Sequence, residues 1–244
     1  MSEGDAVYVY GVVPRARLPG RLAGRGVRLV TSGGVAALIT DVAASPVDAT
    51  RRNLLAHADI LEDAFTWTTV LPMSFGVVLP DESAVRDVLL DANRDLLEEL
   101  LERHASTAEL TVKAFYDEDA VLAELVLSDP ELARLRELYR AAPTFERGLT
   151  LGEEVAARLE GRRDRDAARV VDVLAPLALD MRAGELMADH AVLSLALLIQ
   201  RDQAELIEVR LEDARSNFSR SLRFKLVGPL PPYSFVDVQL AVAA

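Results

Sequence analysis

Short runs of apolar residues, broken by turn residues, dominate the first half of the chain. Residues 6–13 are rich in Val and Tyr and end at a glycine and a proline, which predicts a strand. Residues 27–30 and 35–40 flank a turn in which Gly33 and Gly34 can take positive φ, so these two runs predict a hairpin.

Two further strands are predicted before residue 117. Residues 68–79 are rich in β-forming residues but contain Pro72 and Gly76. Because proline cannot donate a hydrogen bond to a strand ladder, this segment predicts a kinked or bulged strand at a sheet edge. Residues 109–116 alternate between apolar and polar side chains, as a half-buried strand does.

Apolar residues at steps of three and four mark two helices in this half. Residues 45–48 read Ser-Pro-Val-Asp, which combines a hydroxyl cap with a proline at the first helical position and predicts a helix from there to about Phe65. Residues 81–103 predict a second helix. This order of strands and helices favours a ferredoxin-like sandwich with both helices on one sheet face.

Helices dominate the sequence after residue 117. The periodicity predicts helices over 118–127, 128–140 and from 150 to about 182, and capping boxes at Ser128 and Thr150 predict two of the starts. The last of these helices includes a charge-dense stretch at 160–169, which we interpret as a solvated face.

The remainder of the chain predicts a βαβ element and a stiff end. The element consists of a strand at 190–199, a helix at 202–218 and a strand at 221–227. The proline-rich residues 228–235 are expected to close this part of the chain as a strap, and the alternative is a peptide that docks into a partner's groove. We therefore predict an α+β protein of two domains, residues 1–117 and 118–244.

Composition narrows the class of protein. Of 244 residues, 50% are apolar and 27% are charged, as in ordinary globular chains. The net charge is −12, with Lys113 and Lys225 as the only lysines, and this charge disfavours binding to nucleic acid. The lack of cysteine excludes disulfides and thiolate metal sites and makes the cytoplasm the default location. Neither an export signal nor a membrane span is expected.

Little in the sequence points to catalysis. His57, His104 and His190 do not have the spacing of metal ligands, so we interpret each as a structural or surface residue. The glycine-rich residues 20–26 lack the helix start that a diphosphate site needs, and no Gly-x-Ser-x-Gly motif occurs. We expect no enzyme activity, no catalytic or metal-binding residue and no cofactor.

Five arginines form a local basic cluster in this acidic chain: Arg15, Arg17, Arg21, Arg25 and Arg28. The simpler interpretation is a loop that its charges keep in solvent. The alternative is a docking site for an acidic partner.

Three blocks of sequence occur in order along nearly the whole chain. They are Tyr-Val-Tyr-Gly-Val from Tyr8, Thr-Val-Leu-Pro-Met-Ser-Phe-Gly from Thr69, and Gly-Pro-Leu-Pro-Pro-Tyr-Ser-Phe from Gly228. In these blocks the chain resembles the gas vesicle protein L/F family (GvpL/GvpF), and the last block is the most specific of the three. Ser74 stands where the family commonly has an arginine.

The resemblance implies a non-enzymatic accessory or minor structural protein that is required to assemble gas vesicles in the cytoplasm. It implies two α+β domains, the first a modified ferredoxin-like fold. It also implies contacts with the gas vesicle shell protein and other accessory proteins rather than with nucleic acid or membrane. The candidate interaction or structural residues are Pro72, Met73, Phe75, Gly76, Gly228, Pro229, Pro231, Pro232, Tyr233 and Phe235.

The apolar shell subunit of a gas vesicle would need shielding before assembly, and two parts of this chain are candidates to provide it. They are the helical residues 122–138 and the edge strand near residues 72–76, with the alternative that their apolar side chains are simply core. The rival function is an enzyme or small-ligand binder on the ferredoxin-like scaffold. That function would need a closed apolar cavity in which His57 or Tyr116 meets buried carboxylates.

Overall fold

The computed structural model describes residues 5–43 and 46–236. Its contacts divide the chain into two compact units, one formed by Met1–Glu109 with Pro229–Ala244 and the other by Leu110–Gly228. These units differ from the domains 1–117 and 118–244, which remain a sequence-based prediction. Both units combine helices with an antiparallel sheet, so the predicted α+β class is confirmed.

The first unit contains a sheet and the helices that cover it. Its strands are β1 (Asp5–Pro14), β2 (Arg28–Ser32), β3 (Val35–Ala43), β4 (Leu71–Pro72) and β5 (Val78–Leu79). Its helices are α1 (Gly20–Ala23), α2 (Arg51–Phe65), α3 (Glu82–Ala84), which continues as a π-helical segment at Val85–Asp91, and α4 (Arg94–Arg103).

The sheet confirms the predicted hairpin and the predicted kinked strand. Its order is β2-β3-β1, with both β4 and β5 paired to the free side of β1. Gly33 has φ 55° in the two-residue turn between β2 and β3. Between Gly11↔Pro72 and Tyr8↔Val78 the register shifts, because residues 73–77 bulge out of the ladder.

The two faces of this sheet are covered by different helices, so the prediction that both helices share one face is wrong. Val7 and Val9 belong to a core cluster with Leu97 and other residues of the α3–α4 region. Tyr8, which points to the opposite face because strand side chains alternate, contacts His57 of α2. A sheet buried on both faces has nearly continuous apolar strands, as β1 and β3 do.

The start of α2 lies later than predicted. Residues 46–50 are not helical, and α2 begins at Arg51 with the Thr50 hydroxyl accepting a hydrogen bond from the Asn53 amide at 3.2 Å. Ser45, the predicted cap, lies outside the described residues. Thr50 caps the helix because its hydroxyl satisfies an amide that the first turn leaves unpaired.

The second unit packs four helices with a second sheet. The helices are α5 (Glu118–Ser128), α6 (Pro130–Ala141), α7 (Phe145–Leu174) and α8 (Ala204–Asp213), and short 3₁₀ turns lie at Ala175–Leu177, Arg201–Gln203 and Ala214–Asn217. The strands are β6 (Thr107–Tyr116), in which the unit begins, β7 (Asp180–Ala183), β8 (Ala191–Gln200) and β9 (Leu222–Leu230), in the order β7-β8-β6-β9. The predicted βαβ element is β8-α8-β9, with β6 between its strands.

The two predicted capping boxes do not start helices where expected. The cap of α6 is Asp129, one residue later than Ser128, and its carboxylate accepts from the Glu131 and Leu132 amides. Thr150 lies inside α7, and its hydroxyl donates to the Glu146 carbonyl at 3.0 Å. The α7 helix is capped by Thr144 and ends at Leu174 rather than near residue 182, where β7 lies instead.

Candidate functional site

The first two sequence blocks meet in an aromatic cluster of the first unit, formed by Tyr8, Tyr10, His57 and Phe75. Tyr8 and Tyr10 come from β1, where side chains two residues apart point to the same face, so both rings approach His57 of α2. Their ring centroids lie 4.9 Å apart, and the His57 ring stacks on Tyr10 at 5.5 Å. Phe75 lies edge-on to His57 at 5.7 Å, which brings the bulge after β4 into the cluster.

Hydrogen bonds fix the tautomer of His57 within this cluster. The Gly76 amide donates to the Tyr8 hydroxyl at 3.0 Å, so the hydroxyl proton is available for Nδ1 of His57 at 2.8 Å. Nε2 of His57 then donates to the Met73 carbonyl at 3.2 Å. A neutral imidazole therefore satisfies both the Tyr8 hydroxyl and the Met73 carbonyl. Gly76 and Met73, at the two ends of this series of hydrogen bonds, both belong to the bulge at residues 73–77.

Burial sets the ionisation of the cluster. It lowers the pKa of His57, and the smaller effect of the bond to the Met73 carbonyl acts the other way. Burial also raises the pKa of Tyr8. Both groups are therefore neutral at pH 7, which suits a cluster whose hydrogen bonds hold β1, α2 and the bulge after β4 together. The interpretation of His57 as a satisfied structural residue is in agreement with these contacts.

The predicted site residues of the second block lie in or next to the bulge at residues 73–77. Pro72 ends β4 and is buried, while Met73 and Phe75 are half-buried. Gly76 has φ 92°, a conformation that other residues adopt only with strain, and its amide must face Tyr8.

Most of the proline-rich block falls within the first unit, whereas the sequence-based prediction assigned it to the second domain. The Ser234 amide and hydroxyl donate to the buried carboxylate of Glu109 at 2.6 and 2.8 Å. Val236 packs against the core cluster of the first unit. These contacts lie on the first unit, and they favour a strap over a docking peptide.

The remaining residues of the block divide between anchoring and turning. Pro231, Pro232 and Phe235 are buried, whereas Pro229 is exposed. Gly228, at the end of the second unit, has φ 132°. The Tyr233 hydroxyl is buried, and burial followed by the nearby charges of Glu62 and Glu109 raises its pKa.

In the second unit, charged residues form a network around Asp166, which is 2% exposed. Its carboxylate accepts from the Tyr116 hydroxyl at 2.7 Å and lies 3.6 Å from Nε of Arg162. Arg162 also bonds Glu124, whose carboxylate accepts from the Ser221 amide at 3.1 Å. Burial alone would raise the pKa of Glu124, but hydrogen bonds from the Ser219 hydroxyl, Arg162 and the Ser221 hydroxyl lower it overall.

This network differs from the solvated face that the sequence predicts for residues 160–169, because the side chains of Asp166 and Arg162 turn inward. The available signal is that Val170 and Leu174 continue the spacing of Asp166 at steps of four, which places the carboxylate on the buried stripe of α7.

Tyr116 also lines a small cavity of about 250 Å³, whose other lining residues are Glu118, Val121, Leu122, Leu159, Asp189 and His190. The carboxylates of this cavity are exposed, and Nδ1 of His190 lies 3.3 Å from Glu118. The Tyr116 hydroxyl is already bonded to Asp166. This arrangement differs from the closed cavity with buried carboxylates that would favour an enzyme. No three metal-ligating side chains cluster in the part of the chain that the structure describes.

The structure also shows the surroundings of His104 and of the predicted basic cluster. His104 is buried, with Nδ1 3.1 Å from the Thr107 hydroxyl. In the basic loop, Arg21 and Arg25 pair with Asp63, and Arg28 pairs with Asp41 and Glu82. Most of the basic cluster is thus neutralised by the protein's own acidic residues, which favours the simpler interpretation.

The helices of the second unit expose large apolar side chains. Phe145 is 87% exposed at the start of α7, where Leu149, Leu138 and Tyr139 are also exposed around the turn from α6. Leu127, at the end of α5, is 86% exposed. None of the helices among the described residues is long and apolar enough to cross a membrane.

Comparison with known proteins decides the family. The sequence model of the family "Gas vesicle synthesis protein GvpL/GvpF" matches residues 6–237, which include all three blocks. The chain belongs to the GvpL/GvpF family. A curated GvpL/GvpF relative, gas vesicle protein F of a Streptomyces species, is 36% identical over 95% of this chain and all of its own length. Gas vesicle protein F of a Nostoc species is 27% identical over 98% of this chain and all of its own length.

Solved structures of family members share the fold. The crystal structure of GvpF from an Anabaena species superposes with a TM-score of 0.79 at 25% identity, covering 96% of this chain and 99% of that one. GvpF from Microcystis aeruginosa gives a TM-score of 0.72 at 24% identity with the same coverage. Membership of the GvpL/GvpF family therefore covers both units.

Proposed function

We propose that this protein is an accessory or minor structural component required to assemble gas vesicles in the cytoplasm. It acts by contacts with the shell protein and other vesicle proteins rather than by catalysis. Family membership supports the link to gas vesicles. The alternative, a ligand binder or enzyme on the ferredoxin-like scaffold, lacks a site of suitable chemistry among the described residues.

One observation carries the proposed mode of action: the apolar residues exposed around the α6–α7 turn. Phe145, Leu149 and Leu138 do not contribute to the core, yet they are large and apolar. The Tyr139 ring lies over Gly148, where an added Cβ would come within 3.2 Å of it, so the two helices hold these side chains together. An apolar surface of this kind suits a partner that is itself apolar.

The edge strand at residues 72–76 is a weaker candidate for this contact. Met73 and Phe75 are half-buried and packed within the first unit, so little of their apolar surface is left for a partner. We therefore assign the shell contact to the helices and the second sequence block to stability.

The test replaces Phe145 and Leu149 by serine in cells that carry the vesicle genes. Because both side chains are exposed, we expect the variant to fold normally but to lose co-purification with the shell protein and to give few vesicles by electron microscopy. The matched control is Met187→Ser, since Met187 is similarly exposed at 83% but lies outside α5–α7.

Two results would overturn the proposal. One is normal vesicle number and shell binding in the Phe145→Ser, Leu149→Ser variant. The other is normal vesicles in cells that lack the protein entirely, which would remove the assembly role itself.

A further inference from the structure

Three arginines line one cleft of the second unit. Arg162, Arg165 and Arg169 are spaced by three and four residues, which places them on one face of α7. The cleft has a volume of about 700 Å³, and its other lining residues are Asp166 of α7, residues 124, 127 and 128 of α5, and residues 217–219. The lining thus carries three positive and two negative side chains, in a chain whose net charge is −12.

The carboxylates beside these arginines are already committed to other groups. Glu124 accepts hydrogen bonds from Ser219 and Ser221 as well as from Arg162. Asp166 is buried and accepts from the Tyr116 hydroxyl. Both acids therefore hold Arg162 in place, and of the two outer arginines only Arg169 reaches one of them, through a 3.4 Å contact with Asp166.

The outer arginines are left for a ligand. Within the described residues, the Arg165 guanidinium has no hydrogen bond or ion pair, and its side chain is exposed at the cleft. The contact of Arg169 with Asp166 is long, at 3.4 Å, and its side chain is 57% exposed. Guanidinium groups bind carboxylates with two parallel hydrogen bonds, so a partner's acidic side chains fit this pair.

An apolar side chain adjoins the positive charges. Leu127 lines the same cleft and is 86% exposed, while Phe218 lies buried at its floor. A small inorganic anion would use the arginines alone and leave Leu127 in water. A peptide with acidic and apolar residues would use both.

We propose that this cleft binds an acidic peptide segment of a partner protein, with carboxylates on Arg165 and Arg169 and an apolar residue against Leu127. The rest of the acidic surface repels such a segment, so charge directs it to this cleft. The inference does not depend on the proposed shell contact, which uses different residues of α6 and α7.

The test measures fluorescence anisotropy of the full chain with a labelled peptide of alternating Glu and Leu. We expect saturable binding that weakens as salt is raised from about 50 to 500 mM, because the pairs at the rim of the cleft are screened. Arg165→Glu and Arg169→Glu should each weaken binding by about tenfold. Leu127→Ser should also weaken it, whereas excess inorganic phosphate should compete only poorly.

The matched control is Arg17→Glu, which makes the same charge change on an exposed arginine of the first unit and should alter affinity less than about twofold. Arg165→Gln provides a variant without charge reversal. Arg165 is exposed and has no ion pair within the described residues, so thermal unfolding of its variants should match that of the unchanged protein. Arg169→Glu removes the contact with the buried Asp166, so its binding is compared at a temperature well below its own melting temperature.

Four results would overturn the inference. They are no binding of the peptide at low salt, equal loss in the Arg17→Glu control, competition by phosphate as strong as by unlabelled peptide, and self-association of the chain that Arg165→Glu abolishes. The last result would assign the cleft to a second copy of this chain. Loss of the shell contact in the Phe145 variant would leave the peptide titration unchanged, so the two proposals fail separately.

Discussion

The hydroxyl oxygen of Tyr8 lies 2.8 Å from Nδ1 of His57, although 49 residues separate them in the chain. The same hydroxyl accepts from the Gly76 amide. One oxygen atom therefore ties β1, α2 and the bulge after β4 together. Removing this oxygen tests whether the contacts between the first two sequence blocks stabilise the fold.

Tyr8→Phe should lower the free energy of unfolding by about 1.5 kcal/mol, because it leaves the Gly76 amide and His57 without their shared partner. Tyr10→Phe is the matched control. Within the described part of the chain, the Tyr10 hydroxyl bonds only to the Thr40 hydroxyl, at 3.1 Å, so its loss should cost about half as much. Urea denaturation measures both, and equal costs would contradict the bridging role of Tyr8.

Stability should fall as the pH drops below about 6.5, the ordinary pKa of histidine. Burial lowers the pKa of His57, and burial followed by the charge of Arg103 lowers the pKa of His104. The unfolded chain then binds protons more readily than the folded chain, so acid favours unfolding. Urea midpoints at pH 7.5 and 5.5 measure the slope.

Single His57→Gln and His104→Gln variants should each reduce this slope, and the double variant should reduce it most. The comparison uses the slope rather than absolute stability because both side chains are buried and either change costs stability by itself. An unchanged slope in the double variant would show that other groups control the acid response.

Glu109→Gln should destabilise the protein by about 2 kcal/mol, because an amide cannot accept both hydrogen bonds from Ser234 as the carboxylate does. Ser234→Ala, which removes one of them, should cost about 1 kcal/mol. The control is Ser83→Ala, whose hydroxyl bonds the exposed Asp81 and should contribute less than about 0.5 kcal/mol. Similar midpoints for Ser234→Ala and Ser83→Ala would argue against the strap.

Two glycines should respond to alanine in opposite directions. At Gly11 a Cβ would lie 2.7 Å from the Leu71 carbonyl oxygen and 2.9 Å from Leu61, so Gly11→Ala should destabilise by at least about 2 kcal/mol. At Gly152, inside α7, a Cβ meets open space, and Gly152→Ala should add up to about 1 kcal/mol. Calorimetric melting temperatures that move in the same direction would contradict this pairing.

Local signals in the sequence predicted much of the first unit. The Gly33-Gly34 turn and the dense apolar strands around it need only short-range information, and so does the bulge at Pro72 and Gly76. The helix α2 packs on the face of the sheet to which Tyr8 and Tyr10 point. That choice is made by the contact with His57, which no local pattern reveals.

The sequence-based predictions were wrong where two local signals compete to start the same element, or where the partner of a residue lies far along the chain. Thr150 has the spacing of a capping box, yet Thr144 starts α7 earlier and leaves the Thr150 hydroxyl to bond a helix carbonyl. The strand β7 is short and mostly exposed, so it carries almost no apolar signal. Glu109 and Ser234 stand 125 residues apart, and nothing in either sequence neighbourhood specifies the other.

The first unit takes residues from both ends of the chain, with Leu110–Gly228 inserted between them. Ribosomes release the amino end first, so this unit stays without Ser234 and Phe235 until the second unit has been translated. A premature stop codon anywhere in the second unit would therefore also leave the first one unfinished. We expect such a truncated product to be degraded by proteases rather than to function as half of the protein.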